Sequence, residues 1–297
     1  MQTVQTVQTL IKTALFFIPI TALSISNIWA ADRFASVEVK AQMISDSVLM
    51  LTGSGGNIGV SIGPDGTLII DDQFAPLAEK IQAALVTLGG DRPRLILNTH
   101  FHGDHTGSNP NFGSSGAIIA HDNVRVRLAN QDNFAPSGLP VITFADQLTI
   151  HFNGDELAVI HLPNGHTDGD SVVWFKQANV MHMGDHFFNG AFPYIDIGSG
   201  GSVAGVIRNL EQVIQMVPAD IQIIPGHGPM ASVADLSTSL ATIKKTQKII
   251  QQGQQSGLSD SEIEAELSAY ASWGKGFINT SRWINIIKSD MEQNVSR

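Results

Sequence analysis

The chain has 297 residues, 43% hydrophobic and 15% charged, with 28 glycines and a formal net charge of −10. This balance can bury a sizeable core in one large domain or two small ones and excludes collagen-like and disordered classes; the acidic charge excludes nucleic acid as an expected partner and argues against a nuclease. There are no cysteines, which removes any disulfide framework, thiolate nucleophile or thiolate metal ligand.

The first thirty residues read differently from the rest. A polar start carrying only Lys12 as a charge is followed by an apolar run over 14–25, then Ser26-Asn27-Ile28-Trp29-Ala30 before Ala31-Asp32. This is the pattern of a secretory signal peptide over 1–30, with cleavage expected after Ala30; the alternative is an uncleaved anchor, since the apolar stretch over 15–30 is nearly long enough to span a bilayer. Removing 1–30 would take the formal charge from −10 to −11. The expected mature chain, 31–297, is periplasmic or secreted and free of the membrane once cleaved.

Successive strands are expected at 37–39, 48–51, 58–62 and 67–70, separated by hairpin signals at Gly53-Ser54-Gly55-Gly56 and Pro64-Asp65-Gly66. Leu77, Ile81, Ala84, Leu85 and Leu88 then fall at helical spacing, with Gly89-Gly90 as the stop. Strands follow at 95–97 and 117–120, a helix near 123–129, and further strands around 141–144, 148–152, 157–160, 172–175 and 180–183. Ser202 is a good N-cap for a helix with the apolar face Val203, Val206, Ile207, Leu210, Val213, Ile214 and Val217, closed by Pro218. After a strand at 221–224 the tail, about 231–297, reads as helical, with Ser259 and Glu262 as a capping box. Strand runs followed by helices imply an α/β fold in which two sheets pack face to face with helices outside. That is a four-layer αββα sandwich with a helical C-terminal extension, all in one domain over 31–297.

The chemistry is concentrated in strand-end loops. Asn98-Thr99-His100-Phe101-His102-Gly103-Asp104-His105 follows directly on a buried-looking strand, and His100 and His102, two apart in extended chain, face the same side. Gly103 is expected to permit the turn that returns Asp104 and His105 to the same space. Three more loops after strands supply ligand types: His166 in Pro163-Asn164-Gly165-His166-Thr167-Asp168, Asp185 in Met183-Gly184-Asp185, and His227 in Pro225-Gly226-His227-Gly228. Each is weak alone, but four such loops can converge on one sheet edge.

This order of H-F-H-G-D-H, G-H-T, G-D and P-G-H-G resembles the metallo-β-lactamase superfamily, over about 37–230. The resemblance implies a first metal held by His100, His102 and His166, a second held by Asp104, His105 and His227, and Asp185 bridging the two. It implies two zinc ions per chain and a small-molecule substrate. A hydroxide shared by the ions would attack a carbonyl, with Asp104 and Asp185 as the catalytic carboxylates. All seven ligands are nitrogen or oxygen donors, which leaves iron or manganese open.

The chain departs from the lactamases that place a cysteine on the second metal: Asp185 stands there, as in glyoxalase II and lactonases. Cleavage of an amide or ester bond, β-lactams included, therefore stands beside a thioester or lactone hydrolase resembling glyoxalase II, whose helical C-terminal part binds glutathione. A non-catalytic metal-binding protein is the third reading, and no ligand has been lost to support it.

Other residues carry softer expectations. His161 and His182 lie in strands and read as structural, His121 and His151 have no place in the motif, and His186 could brace a ligand or reach substrate. Asp168 and Asp170 are expected to fix the His166 loop. The aromatic run from Phe187 to Tyr194 either walls an apolar pocket or packs on the sandwich edge. Trp273, Phe277, Trp283, Ile284 and Ile287 read as a core-facing stripe rather than a lid.

Overall fold

Apolar residues that alternate along short strands build two sheets. The computed structural model describes residues 33–295, and its main body begins at Val37; the segment read as a signal peptide lies outside the described residues. No helix among them is long and apolar enough to cross a membrane. The first sheet runs in chain order through β1 (Lys40–Met43), β2 (Val48–Thr52), β3 (Ile58–Gly63), β4 (Gly66–Ile70), β5 (Leu95–Leu97), β6 (Ala117–His121) and β7 (Ile142–Phe144). It is antiparallel up to β4 and parallel from there to β7. The second contains β8 (Gln147–Phe152), β9 (Asp155–His161), β10 (Ser171–Phe175), β11 (Val180–His182) and β12 (Gln222–Ile224), ordered β12-β11-β10-β9-β8, with only the β11–β12 pair parallel.

The side-chain period of two lets each strand of the first sheet serve two layers. Val48, Met50, Leu68, Ile70, Leu97 and Ile119 join Leu157, Val159, Val173, Phe175, Val180 and Ile224 of the second sheet in a single buried cluster. Their alternates Leu49, Leu51, Ile69, Ile96 and Ile118 are buried on the other face. Each fully buried side chain of this size contributes about 1.5–3 kcal/mol relative to exposure, so this cluster binds the two sheets together.

Helix α1 (Ala78–Thr87) buries Ile81 and Leu85. Single helical turns α2 (Gly103–Thr106) and α3 (Asn109–Phe112) follow β5, and α4 (Asp122–Ala129) follows β6. Helix α5 (Val203–Met216) starts at Ser202, whose hydroxyl accepts from the Gly205 amide at 3.0 Å, and its Val206, Leu210 and Val213 cluster with Val172, Met181 and Ile223 of the second sheet. The tail forms α6 (Val233–Gln255), α7 (Asp260–Glu266) and α8 (Thr280–Val295), with capping boxes at Ser232/Asp235 and Ser259/Glu262. Helix α6 packs along α5, and α8 along α6 and α7. The layers are those of an αββα sandwich carrying a helical C-terminal part, as the strand and helix runs imply.

Two local expectations are corrected. The first strand is Lys40–Met43 rather than 37–39; all four of its residues are exposed at the sheet edge, where burial leaves no apolar period to read. Gly103 begins the helical turn α2 and does not adopt a left-handed φ, so helical geometry and not glycine freedom returns Asp104 and His105 to the site. The tail stripe also divides: Trp283, Ile284 and Ile287 are buried, Trp273 is half-buried, and Phe277 is 70% exposed.

Candidate metal centre

The seven ligand-type residues come from loops that leave β5, β9, β11 and β12. The structure brings all of them together at that edge. Ligand atoms of His100, His102, His166 and Asp185 lie within 4.8 Å of one another, and so do those of Asp104, His105 and His227. Asp185 joins the two groups. Its Oδ2 is 3.8 Å from His100 Nε2 and 3.5 Å from His166 Nε2, whereas its Oδ1 is 3.0 Å from His105 Nε2 and 3.4 Å from His227 Nε2. Asp104 Oδ2 completes the second group, 3.4 Å from His227 Nε2. Close packing around Asp185 requires glycine at 226, where a side chain would collide with its carboxylate.

The far side of each ring is held by the protein, which fixes the nitrogen that faces inward. Asp71 follows β4, and its carboxylate accepts from the Thr99 amide and hydroxyl, both at 2.8 Å, and from His105 Nδ1 at 2.7 Å. Thr99 Oγ1, having donated to Asp71, accepts from His100 Nδ1 at 3.0 Å. His166 Nδ1 donates to the Tyr194 carbonyl at 2.8 Å, and His102 Nε2 donates to Asp196 Oδ2 at 3.0 Å.

These contacts test the site for a metal. With their outer nitrogens committed, His102 Nδ1 and His166 Nε2 turn lone pairs toward each other at 2.8 Å, an arrangement that calls for a cation between them. His100 Nε2 is buried with no hydrogen-bond partner among the described residues. Burial keeps His100 well below the ordinary histidine value and brings His166 down to about 4, so both rings are neutral ligands at pH 7. In the other group burial opposes charge, but Asp185 outweighs it and holds His227 up at about 9 and His105 well above the usual range. Asp185 itself is disfavoured as an anion by burial, yet His105, His227 and His100 hold it well below the carboxylate range. The cluster demands positive charge, and its oxygen and nitrogen donors fit a divalent metal.

The surrounding residues take varied roles. Asp170 accepts from the Thr167 amide at 2.7 Å and from its hydroxyl, bracing the His166 loop, whereas Asp168 is gripped by Arg127 Nε and Nη2 at 2.7 and 2.8 Å. His182 is buried against the Asn57 carbonyl, and His186 faces Asn209 Nδ2 at 2.9 Å inside the fold, away from solvent. His121 and His161 stack on one another, and His151 is exposed on β8. In the aromatic loop Phe187, Phe188 and Phe192 are buried while Tyr194 stays half-exposed, its ring 5.8 Å from that of His102 and 5.7 Å from that of His166. Sequence reasoning missed Asp71 and Asp196. The signal for Asp71 was available: two acidic residues, Asp71-Asp72, directly follow an apolar strand.

Comparison with known proteins places the fold in a family. The chain is 31% identical over 153 residues to a hydroxyacylglutathione hydrolase from Rhodospirillum rubrum, covering 51% of this chain and 54% of the relative. It is 25% identical over 163 residues to the acyl-coenzyme A thioesterase MBLAC2 of Bos taurus, covering 46% and 56%. It thus spans about half the length of the curated relatives it matches. A solved metallo-β-lactamase from Pontibacter korlensis superposes with a TM-score of 0.61 at 19% identity, covering 70% of this chain and 99% of that one, which is a likeness of fold. A family model described as the metallo-beta-lactamase superfamily matches residues 51–227, and with the fold and the convergent ligand loops already in place, the chain belongs to that superfamily.

Proposed function

We propose that the protein is a two-metal hydrolase, binding zinc, that cleaves a thioester or carboxylic ester. The observation that carries this reading is Asp185, whose two oxygens face two separate histidine groups as a bridging carboxylate does. When bound, a metal pair of this kind lowers the pKa of water and polarises the carbonyl under attack. The chain's own residues set the geometry. Asp71 and Asp196 fix the rings of His105 and His102, and the Tyr194 carbonyl fixes His166. Asp104, at 25% side-chain exposure against 5% for Asp185, is the carboxylate that an incoming water can reach. Burial opposes its ionisation, but His105 and a hydrogen bond from His227 keep it below the usual range, so it is an anion able to accept a hydrogen bond from that water and orient it.

Support for a thioester or ester comes from the curated relatives, which are named for hydrolysis of hydroxyacylglutathione and acyl-coenzyme A, and from the carboxylate at 185 in a chain without cysteine. The test is an assay of chelated and zinc-reloaded protein on thioesters, lactones, β-lactams, and sulfate and phosphate esters, with metal content measured alongside. Close to two equivalents of zinc and zinc-dependent thioester or carboxylic ester hydrolysis are expected. Saturation at one equivalent would sink the bridged model; turnover of β-lactams or phosphate esters alone would reassign the substrate.

A further inference from the structure

Next to the metal centre the tail builds a groove of about 410 Å³ lined by Tyr194, Phe277, Ile278, Arg282, Asn285 and Ile286. Tyr194 is shared by both features: one side of its ring neighbours His102 and His166, and Phe277 meets it edge to face with ring centroids 6.3 Å apart. Arg282 reaches back over Phe277, its guanidinium carbon 5.0 Å from the ring centre, and donates to the Phe277 carbonyl at 3.2 Å. It forms no salt bridge among the described residues, in contrast to Arg127, Lys244 and Lys288, which are paired with Asp168, Glu211 and Asp260.

Two of these features set the chemistry of the groove. Whereas Trp283 on α8 is fully buried, the Phe277 ring, in the bend that precedes that helix, is 70% exposed and open to an apolar partner. An uncompensated guanidinium beside it, on a chain of net charge −10, creates a local positive field that selects an anion. The tail is also firmly placed. The Phe192 amide donates to the Trp273 carbonyl at 3.0 Å, and the Phe192 ring stacks on Trp283 at 5.3 Å with planes 9° apart, so the loop that leads to Tyr194 and the helix that carries Arg282 are fixed to one another.

Building on the hydrolase reading, we propose that this groove is the substrate-recognition subsite, and that it takes an apolar or aromatic body ending in a single carboxylate. The body lies against Tyr194, Phe277, Ile278 and Ile286, and the carboxylate pairs with Arg282, assisted by the Asn285 amide. One guanidinium and one amide against four apolar or aromatic walls suit such a compound better than a zwitterionic peptide, whose further charges would find no partners.

Binding tests this independently of turnover. Zinc-loaded protein would be titrated calorimetrically with 2-naphthoate and with its neutral isostere 2-naphthamide. The wild type should prefer the carboxylate; Arg282→Gln should reduce that preference about fivefold, Arg282→Lys should restore part of it, and Phe277→Ala should weaken both probes. Both positions are exposed, so folding is preserved. If Arg282→Gln binds naphthoate as tightly as the wild type, the carboxylate is bound elsewhere, at the metal centre for example, and the proposal is overturned whether or not the protein hydrolyses thioesters. Arg282-dependent naphthoate binding in a protein that cleaves no ester would overturn the hydrolase reading and leave the subsite standing.

Discussion

Asp71 and His105 meet through a 2.7 Å contact between a carboxylate oxygen and Nδ1, with both side chains fully buried. The contact commits Nδ1 as donor and leaves Nε2 to face Asp185 and Asp104, so a residue outside the ligand set decides which histidine atom is offered to a metal. Asp71→Asn tests this cleanly, because asparagine tolerates the left-handed φ at this position and matches the volume. Its amide group competes for the same geometry without the charge. Metal affinity, measured by chelator competition, should fall about 10- to 100-fold. Unchanged affinity would mean that His105 is oriented by something else.

Asp185→Ala should remove the group that joins the two halves of the centre. At least about a hundredfold loss in kcat/KM is expected on the substrate found, some 2.7 kcal/mol of transition-state stabilisation, together with loss of metal. Asp168→Ala breaks a pair with Arg127 whose side chains are 27% and 29% exposed, and should cost at most about 1 kcal/mol of stability while both metals stay bound. The reverse pattern, metals lost with Asp168 and kept without Asp185, would move the bridging role to the His166 loop.

The extent to which this site was legible follows from where its residues lie. His100, His102, Asp104 and His105 occupy one short segment after a recognisable strand, so spacing alone groups them; His166, Asp185 and His227 needed the resemblance, since an isolated histidine beside glycine has no signature. Asp196 was invisible because its partner His102 is 94 positions away and only the packing of the aromatic loop brings them together. The same limit applies to β1, whose exposed residues carry no apolar period, and to Phe277, which reads as part of the apolar stripe but lies in the bend before α8 and faces solvent. Periodicity reports an amphipathic face; it does not say which residue at its margin is left uncovered.

The His121 and His161 rings stack at 3.7 Å with planes 16° apart. Burial is the main cause that brings both below the ordinary histidine value, and for His161 the neighbouring His121 adds to it. In the fold these rings therefore resist a proton that they accept in the unfolded chain near pH ~6.5. Below that pH the unfolded state binds more protons than the native state, so the pair's contribution is fully present above pH ~6.5 and is lost as pH falls toward the folded values. His121→Asn keeps an acceptor for the Asn123 amide, which His121 Nδ1 now provides at 3.1 Å, while removing a titrating ring. Thermal melts between pH ~7 and ~5 should show a shallower acid loss of Tm in the variant than in the wild type. An equal or steeper loss would assign the acid sensitivity to other groups.

Trp283 decides whether the tail is part of the sandwich or an appendage to it. It is fully buried, stacks on Phe192 from the loop after Asp185, and donates Nε1 to Thr246 Oγ1 on α6 at 2.9 Å, so one side chain ties α8 both to the tail and to the metal-site loop. Trp283→Ala should cost about 3–5 kcal/mol through lost burial and the cavity left behind. Thr246→Val keeps the volume but removes the hydroxyl, which accepts from the indole and itself donates to the Thr242 carbonyl at 2.8 Å, and should cost about 1–3 kcal/mol, chiefly because it strands a buried indole N–H. If the tail shares the core of the second sheet, each variant lowers the midpoint of a single unfolding transition followed by far-ultraviolet circular dichroism, in proportion to those losses. A separate early transition in Trp283→Ala, with the main midpoint unmoved, would instead make α6 to α8 an independent unit. Tyr194 and Arg282 would then no longer be held in a fixed relationship, because the Phe192–Trp283 stack that joins their elements would contribute nothing to the stability of the body.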